Sequence, residues 1–174
     1  MIDKPILYNY FRSSTSVRVR IALNLKNIDY QYEALHLRKK EHQTDSYLKI
    51  NPYGLLPTLE FPSGIIINQS LAILEYLDEV YPTPSILPLN PIDRAKVRSM
   101  AYGIALEIHP LNNLHVLNHL KDDFMADDQT IKSWFSKWVH KAFGPFEKVL
   151  NSDEDVGLYC FGDEPTLADI CLFS

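Results

Sequence analysis

The segment FRSSTSVRVRIAL, residues 11–23, places hydroxyl side chains at Ser13, Ser14 and Thr15 directly before a stretch with helical spacing. The first turn of a helix offers unpaired N–H groups and a partial positive charge. A hydroxyl placed there can donate a hydrogen bond to a thiolate and lower the pKa of the thiol. The same residue types are also common helix N-caps. The segment by itself therefore predicts either an ordinary capped helix or a site for chemistry on an anion or a thiol.

The elements predicted around this segment form a βαβαββα unit over residues 1–81. Apolar residues at Val17, Ile21 and Leu25, with Ala22 alongside, indicate the first helix, and Asn27 is expected to end it. Asn68 or Ser70 is expected to cap the last helix of the unit. The four predicted strands are Ile6–Asn9, the segment IDYQYEALHL, Thr58–Phe61 and Ile65–Ile67, the last two forming a hairpin.

The remainder of the chain has a purely helical pattern. A proline-rich stretch at residues 82–90 is predicted to be a linker, and residues 91–174 a helical domain. One long helix is expected from Pro91 to about His119, kinked at Pro110, and a second from about Gln129 to Leu150. A final helix is expected to begin with a capping box formed by Thr166 and Asp169, which has a folding role.

Composition excludes several classes of protein. The 174-residue chain carries 17 basic and 22 acidic residues, a net charge of −5, so it has no electrostatic footprint for nucleic acid. It contains no apolar run long enough to span a membrane, and its first residues do not resemble a signal peptide. Its two cysteines do not suggest a disulfide framework or a CxxC redox site. A cytoplasmic protein without membrane or nucleic-acid partners is expected.

The motifs and the order of elements together resemble the zeta class of the glutathione transferases, also called maleylacetoacetate isomerases. FRSSTSVRVRIAL is similar to the class signature FRSSCSxRVRIAL, and INPYGLLPTL, NQSLAILEYL, IHPLNNLHVL and GDEPTLADICL match the class in the same order. The resemblance implies a thioredoxin-like N-terminal domain followed by an all-helical C-terminal domain. It also implies glutathione as cofactor and a homodimer. The implied reaction is isomerisation of maleylacetoacetate to fumarylacetoacetate in tyrosine and phenylalanine breakdown, and some members also dehalogenate α-halo acids.

The resemblance further implies which residues form the site. Ser13 is the activating serine, with Ser14 and Thr15 in support. Leu56 and Pro57 form a cis peptide bond that exposes the Leu56 backbone to the cysteinyl part of glutathione. The other implied glutathione contacts are Gln69 and Ser70 for the γ-glutamyl carboxylate, His42 or Gln43 for the glycyl end, and His109, Asn113 and His115 from the helical domain, some of them across the subunit interface.

The implied substrate carries two carboxylates, so cations are expected near the site. Arg12 and Arg18 are predicted to face the cleft, because Arg20 falls on a different face of the helix. Ordinary solvation or ion pairing is the alternative for all three arginines, and it is favoured for Arg20. No metal is expected, since His115 and His119 have the spacing of two ligands but lack a third.

Two departures from the class keep other functions open. Thr15 stands where the class has cysteine, and the class continues several dozen residues past the position of Ser174. The chain is therefore expected to lack the end of the helical domain, which in the class carries an arginine thought to bind substrate carboxylate. One alternative is a glutathione-binding protein with weak or no activity. Another is a scaffold that binds a different protein, because fold does not determine function.

Overall fold

The computed structural model describes residues 3–174. They divide into two compact units. The first unit runs to Ser85 and includes Ser174, and the second comprises Ile86–Phe173.

A four-stranded mixed sheet forms the centre of the first unit. Its strands are β1 (Ile6–Asn9), β2 (Gln31–Ala34), β3 (Thr58–Glu60) and β4 (Ile66–Asn68), in the order β2-β1-β3-β4. β1 pairs with β2 in parallel, whereas β3 is antiparallel to both β1 and β4. The predicted βαβαββα order is confirmed, although β3 ends one residue earlier than predicted and β4 begins and ends one residue later.

Three helices complete this unit: α1 (Ser14–Leu25), α2 (Asp45–Leu48) and α3 (Ser70–Val80). Two single turns of 3-10 helix, Leu37–Lys39 and Glu41–Gln43, precede α2. The core residues are apolar side chains from the sheet, α1 and α3 that are fully buried, and their removal from water stabilises the unit. They include Leu7, Val19, Leu23, Leu59, Leu74 and Leu77.

The first helix ends as the sequence predicts but buries a different side. Asn27 has a left-handed φ of 51°. Its N–H bonds the Asn24 carbonyl at 3.1 Å, and the Ile28 N–H bonds the Leu23 carbonyl at 2.9 Å, which together form a Schellman motif. The predicted stripe of residues 17, 21 and 25 is only half-buried. Apolar residues occur around much of α1, so spacing could not show which side tertiary contacts would cover.

A buried ion pair joins the end of α1 to the end of α3. The Lys26 ammonium donates to Asp78 Oδ1 at 2.9 Å and to the carbonyls of Tyr81 and Pro84 at 2.7 Å each. Asp78 Oδ2 accepts from Ser85 Oγ at 3.2 Å. Both charged side chains are almost inaccessible to water, at 0% and 5% exposure. All three donors of the ammonium are therefore satisfied inside the unit.

The second unit contains α4 (Pro91–Ala105), α5 (Leu114–Asp122), α6 (Asp128–Ser152) and α7 (Leu167–Phe173). The prediction of one kinked helix from Pro91 to His119 is wrong, because residues 106–113 form turns that separate α4 from α5. Pro110 has no N–H to bond the carbonyl of Leu106, so the helical ladder cannot continue there. The prediction for α6 is confirmed, with one or two more residues at each end.

The beginning of α7 is held by the carboxylate of Asp169. Thr166 donates both its N–H and its hydroxyl to Asp169 Oδ2 at 2.7 Å each. Asp169 Oδ1 accepts from the Cys160 N–H at 2.8 Å, so the same carboxylate also fixes the preceding loop. Asp169 thus caps the Thr166 N–H as predicted, while the threonine hydroxyl bonds the carboxylate. Among residues 3–174, no helix has the length and apolarity needed to cross a membrane.

Candidate active site

Ser13 is the N-cap of α1. Its Oγ accepts from the Ser16 N–H at 3.3 Å, and its carbonyl accepts from the Val17 N–H at 2.9 Å. The Ser13 N–H donates to the Tyr10 carbonyl at 3.0 Å, which fixes the approach of the loop after β1. The hydroxyl is therefore anchored where the helix N-terminus favours negative charge.

Ser13, Thr15 and Leu56 form a directed chain of hydrogen bonds. Thr15 Oγ1 donates to the Leu56 carbonyl at 3.0 Å, and Ser13 Oγ lies 2.8 Å from Thr15 Oγ1. Because a hydroxyl has one hydrogen and that of Thr15 goes to Leu56, Ser13 must donate to Thr15. Turning the Ser13 hydroxyl away from Thr15 would direct its hydrogen at a thiolate bound beside it. Thr15 thus ties the start of α1 to the loop before β3.

The Leu56–Pro57 peptide bond is cis, as the resemblance implied. Leu56 is largely buried, at 9% exposure, and its carbonyl is bonded by Thr15. Within residues 3–174 the Leu56 N–H has no hydrogen-bond acceptor. A backbone donor without a protein partner on a largely buried residue fits the backbone of a peptide ligand, and glutathione is such a ligand.

The turn before α3 has an unusual backbone at Gln69. Its φ is 68° and its ψ 113°, a conformation that costs a non-glycine residue free energy and is often found at ligand sites. Gln69 is the N-cap of α3, in place of the predicted Asn68 or Ser70. Its carbonyl accepts from the Ile73 N–H at 3.0 Å. The first N–H groups of this 11-residue helix suit a carboxylate.

The three arginines of the opening segment lie in different environments. Arg18 is buried, at 2% exposure, where its Nη1 donates to Ser70 Oγ at 3.4 Å and its Nε to Ser174 Oγ at 3.0 Å. This placement favours a role in holding Ser70 over direct contact with a substrate carboxylate. Arg12 is exposed. Arg20 donates to the Phe11 carbonyl at 3.0 Å and so braces the loop that carries Arg12.

His42 lies on the 3-10 turn Glu41–Gln43, and burial lowers the pKa of its imidazole. Its Nδ1 is buried and has no hydrogen-bond partner among residues 3–174. Gln43, the other candidate for the glycyl end of glutathione, already donates its Nε2 to the Gly54 carbonyl at 2.8 Å. Of the two residues, His42 is therefore the one with a polar side-chain atom, Nδ1, that is buried and unbonded within residues 3–174.

The predicted residues of the second unit lie around the start of α5. Asn113 Nδ2 is 3.2 Å from His109 Nε2, so these two side chains contact each other. His115 is exposed, and His119 instead bonds Asp123. Among residues 3–174, no group of three or more His, Cys, Asp and Glu residues could hold a metal ion.

The chain contains two cysteines. Cys160 and Cys171 are both buried in the second unit. Burial, aided by a hydrogen bond to Asp169, raises the pKa of Cys160 to about 12. A thiol with so high a pKa is protonated at neutral pH, so Cys160 is not itself a reactive thiolate.

Comparison with known proteins places this geometry in a family. The model of the glutathione S-transferase N-terminal domain matches residues 12–80. The chain is 45% identical over 166 residues to maleylpyruvate isomerase of Ralstonia sp., covering 95% of this chain and 78% of that protein. A solved maleylpyruvate isomerase, described as a bacterial glutathione S-transferase of the zeta class, superposes with a TM-score of 0.93 at 44% identity, covering 96% of this chain and 78% of the other.

The chain belongs to the zeta class of the glutathione transferases. A second solved neighbour is the maleylacetoacetate isomerase of Methylobacterium extorquens AM1, with bound malonate and glutathione. Its TM-score is 0.92 at 34% identity, covering 96% of this chain and 78% of that one. The predicted fold class is confirmed: a thioredoxin-like N-terminal unit with a helical C-terminal region, the glutathione transferase fold.

Proposed function

We propose that this chain is a glutathione-dependent isomerase that converts maleylacetoacetate to fumarylacetoacetate. The observation that carries the proposal is the Ser13 hydroxyl at the N-terminus of α1, linked through Thr15 to the loop of Leu56. Membership of the zeta class and relatives named as isomerases of maleyl keto acids support it. Transfer of glutathione to small α-halo acids would use the same thiolate.

Bound glutathione supplies a thiolate that adds reversibly to the cis double bond, so that rotation can occur before elimination restores the thiolate and leaves the trans isomer. Ser13 lowers the pKa of that thiol by donating its hydrogen, and the N–H groups of α1 add positive potential. The N-terminus of α3 at Gln69 and Ser70 receives the γ-glutamyl carboxylate. The Leu56 backbone pairs with the cysteinyl part, and His42 receives the glycyl end.

Cations and helical-domain residues complete the proposed site. Arg12 is exposed and serves the carboxylates of the substrate, whereas buried Arg18 acts on the site through Ser70. His109, Asn113 and His115 are proposed to contribute further contacts with glutathione. Arginine suits a dicarboxylate because its planar guanidinium can bond a carboxylate through two parallel N–H groups.

The proposal is tested by mixing the protein with glutathione and maleylacetoacetate, or its analogue maleylacetone, and following loss of the cis isomer by absorbance. Maleylpyruvate is assayed in parallel, because relatives of both names resemble the chain. We expect turnover that requires glutathione and falls strongly in Ser13→Ala. No isomerisation above background, for any of the three substrates, would overturn the proposal.

A glutathione-binding protein with weak or no activity is the second candidate, and Thr15 in the position of the class cysteine favours it. Glutathione binding measured by calorimetry, together with absent turnover, would select this candidate. Restored turnover in Thr15→Cys would then attribute the loss to that residue.

We further infer a homodimer located in the cytoplasm, both expected from the resemblance to the class. Sedimentation equilibrium of the purified protein tests the first, with a mass of twice the monomer expected. Fractionation of expressing cells tests the second.

A further inference from the structure

Asn51 lies fully buried at the start of the loop before β3. Its Nδ2 donates to the Leu55 carbonyl at 2.9 Å and to Thr58 Oγ1 at 3.0 Å. Its Oδ1 accepts from the Tyr53 N–H at 3.1 Å and from Asn68 Nδ2 at 3.4 Å. An amide side chain offers two donors and two acceptor lone pairs, and here all four are used. The side chain is therefore held in one orientation.

Tyr47 and Thr58 extend this network. Tyr47 Oη donates to the Leu55 carbonyl at 2.7 Å and lies 2.8 Å from Thr58 Oγ1. Since the single hydroxyl hydrogen of Tyr47 goes to Leu55, Thr58 donates to Tyr47 and accepts from Asn51. Burial raises the pKa of Tyr47, so this hydroxyl keeps its proton at neutral pH. The Leu55 carbonyl thus accepts two hydrogen bonds from buried side chains.

The hydrogen bonds to the Leu55 carbonyl also orient the backbone N–H of Leu56. A peptide unit is planar, so fixing the Leu55 carbonyl also fixes the direction of the Leu56 N–H. As described above, the Leu56 N–H has no hydrogen-bond acceptor within residues 3–174. The following carbonyl, of Leu56 itself, is held by Thr15 at 3.0 Å. Both peptide units flanking Leu56 are therefore oriented by hydrogen bonds from side chains, those of Tyr47 and Asn51 at one carbonyl and that of Thr15 at the next.

The same amide also contacts the other half of the proposed glutathione site. Asn68, whose Nδ2 donates to Asn51, immediately precedes Gln69 and Ser70. One buried side chain thus connects the segment proposed to bind the cysteinyl backbone with the segment proposed to bind the γ-glutamyl carboxylate.

We propose that Asn51, supported by Tyr47 and Thr58, is a positioning residue that sets the spacing of these two segments and thereby the affinity for glutathione. This inference rests on the proposed function. The three side chains act through the Leu55–Leu56 peptide unit and Asn68 rather than by touching the ligand. A purely structural network would stabilise the fold without acting selectively on glutathione, and the two roles differ in what they do to KM and kcat.

The test compares Asn51→Ala and Thr58→Val with Thr58→Ser, which keeps the hydroxyl. Loss of positioning weakens ground-state binding, so we expect KM for glutathione to rise about 5- to 20-fold in the first two variants with kcat little changed. Thr58→Ser should stay within about twofold of the wild type. The Kd for glutathione, measured by calorimetry, should rise in parallel, while KM for the maleyl substrate stays constant.

The matched control is Lys26→Met, which breaks a buried ion pair elsewhere in the same unit. If lost stability acts only by reducing the folded fraction, it lowers kcat and leaves KM for glutathione unchanged. Asn51→Ala and Thr58→Val variants that fold and keep the wild-type KM and Kd would overturn the positioning role. If Asn51→Ala does not fold, the comparison of Thr58→Val with Thr58→Ser tests the positioning role. Absence of glutathione binding by the wild type would overturn the proposed function itself, and the positioning role with it.

Discussion

At the scale of single residues, the hydroxyl chain distinguishes Ser13 from Thr15. Ser13 is fixed by the Ser16 N–H and can redirect its hydrogen to a thiolate, whereas the hydrogen of Thr15 is bonded to the Leu56 carbonyl. Thr15 therefore supports Ser13 and the loop before β3. The class signature implied this division of roles, and the hydrogen-bond geometry supports it, whereas the three adjacent hydroxyls taken by themselves look alike.

We predict that Ser13→Ala lowers kcat/KM by about 100-fold or more. The loss in Thr15→Ala should be far smaller. The reason is that the hydroxyl hydrogen of Ser13 can turn to the thiolate, whereas that of Thr15 is bonded to the Leu56 carbonyl. Steady-state kinetics measure the loss of kcat/KM in each variant. The ultraviolet absorbance of the bound glutathione thiolate, followed against pH, measures the pKa of the bound thiol. Equal losses, or a greater loss at Thr15, would contradict the assignment of the activating hydroxyl.

His42 gives a prediction about pH. Burial lowers the pKa of its imidazole in the folded protein, so the unfolded chain binds the proton more readily. The stability contributed by the neutral ring is therefore present above the unfolded pKa of about 6.5 and is lost as the pH falls below it. Relative to His42→Gln, the wild type should lose stability to urea between neutral and acidic pH. A difference between the two proteins that does not change with pH would argue against this.

At the scale of elements, polar side chains fix where helices end and how they join. The buried pair of Lys26 and Asp78 links α1 to α3, and Asp169 holds the beginning of α7. Both arrangements leave few polar groups unsatisfied, so removing one partner exposes the others to a full desolvation cost.

We predict that Lys26→Met destabilises the protein by about 3–5 kcal/mol, because the buried Asp78 carboxylate loses the ammonium that it pairs with. Urea unfolding followed by circular dichroism measures the change. The exposed Lys49, changed to Met, is the matched control and should alter stability little. The double variant Lys26→Met with Asp78→Leu should recover part of the loss. A single variant as stable as the control would show that the pair contributes nothing.

Asp169→Ala should destabilise the protein by about 1–3 kcal/mol, because three donors lose their shared carboxylate. Asp169→Asn keeps one acceptor oxygen and should cost less. Thermal unfolding at constant pH distinguishes the two variants, with the exposed Glu164→Ala as control. Indistinguishable melting temperatures for all three would mean that the cap does not hold α7.

At the scale of the whole molecule, ligand binding and folding are linked. A ligand that binds only the folded protein stabilises it, by about 2.7 kcal/mol at a concentration one hundred times its Kd. Glutathione should therefore raise the urea midpoint of the wild type by a corresponding amount. In the Asn51→Ala variant the same glutathione concentration should give a smaller rise. No shift in the wild type at saturating glutathione would contradict binding to the folded protein.

The sequence by itself determined those features that depend on residues close together along the chain. Spacing and turn residues predict the βαβαββα order, the Asn27 helix end and the cap of α7, because these involve residues a few positions apart. Motifs such as FRSSTSVRVRIAL and INPYGLLPTL identify the family and indicate which positions form its proposed glutathione site.

Only the tertiary structure decided the features that join distant segments. It shows that Arg18 is buried against Ser70, that Lys26 bonds Asp78, and that Asn51 connects Leu55 to Asn68. It also separates α4 from α5, where spacing had predicted one kinked helix. The physical reason is that a polar side chain is satisfied by whichever partner folding brings within about 3 Å. The choice between a solvated arginine and a buried one therefore depends on contacts that no local pattern contains.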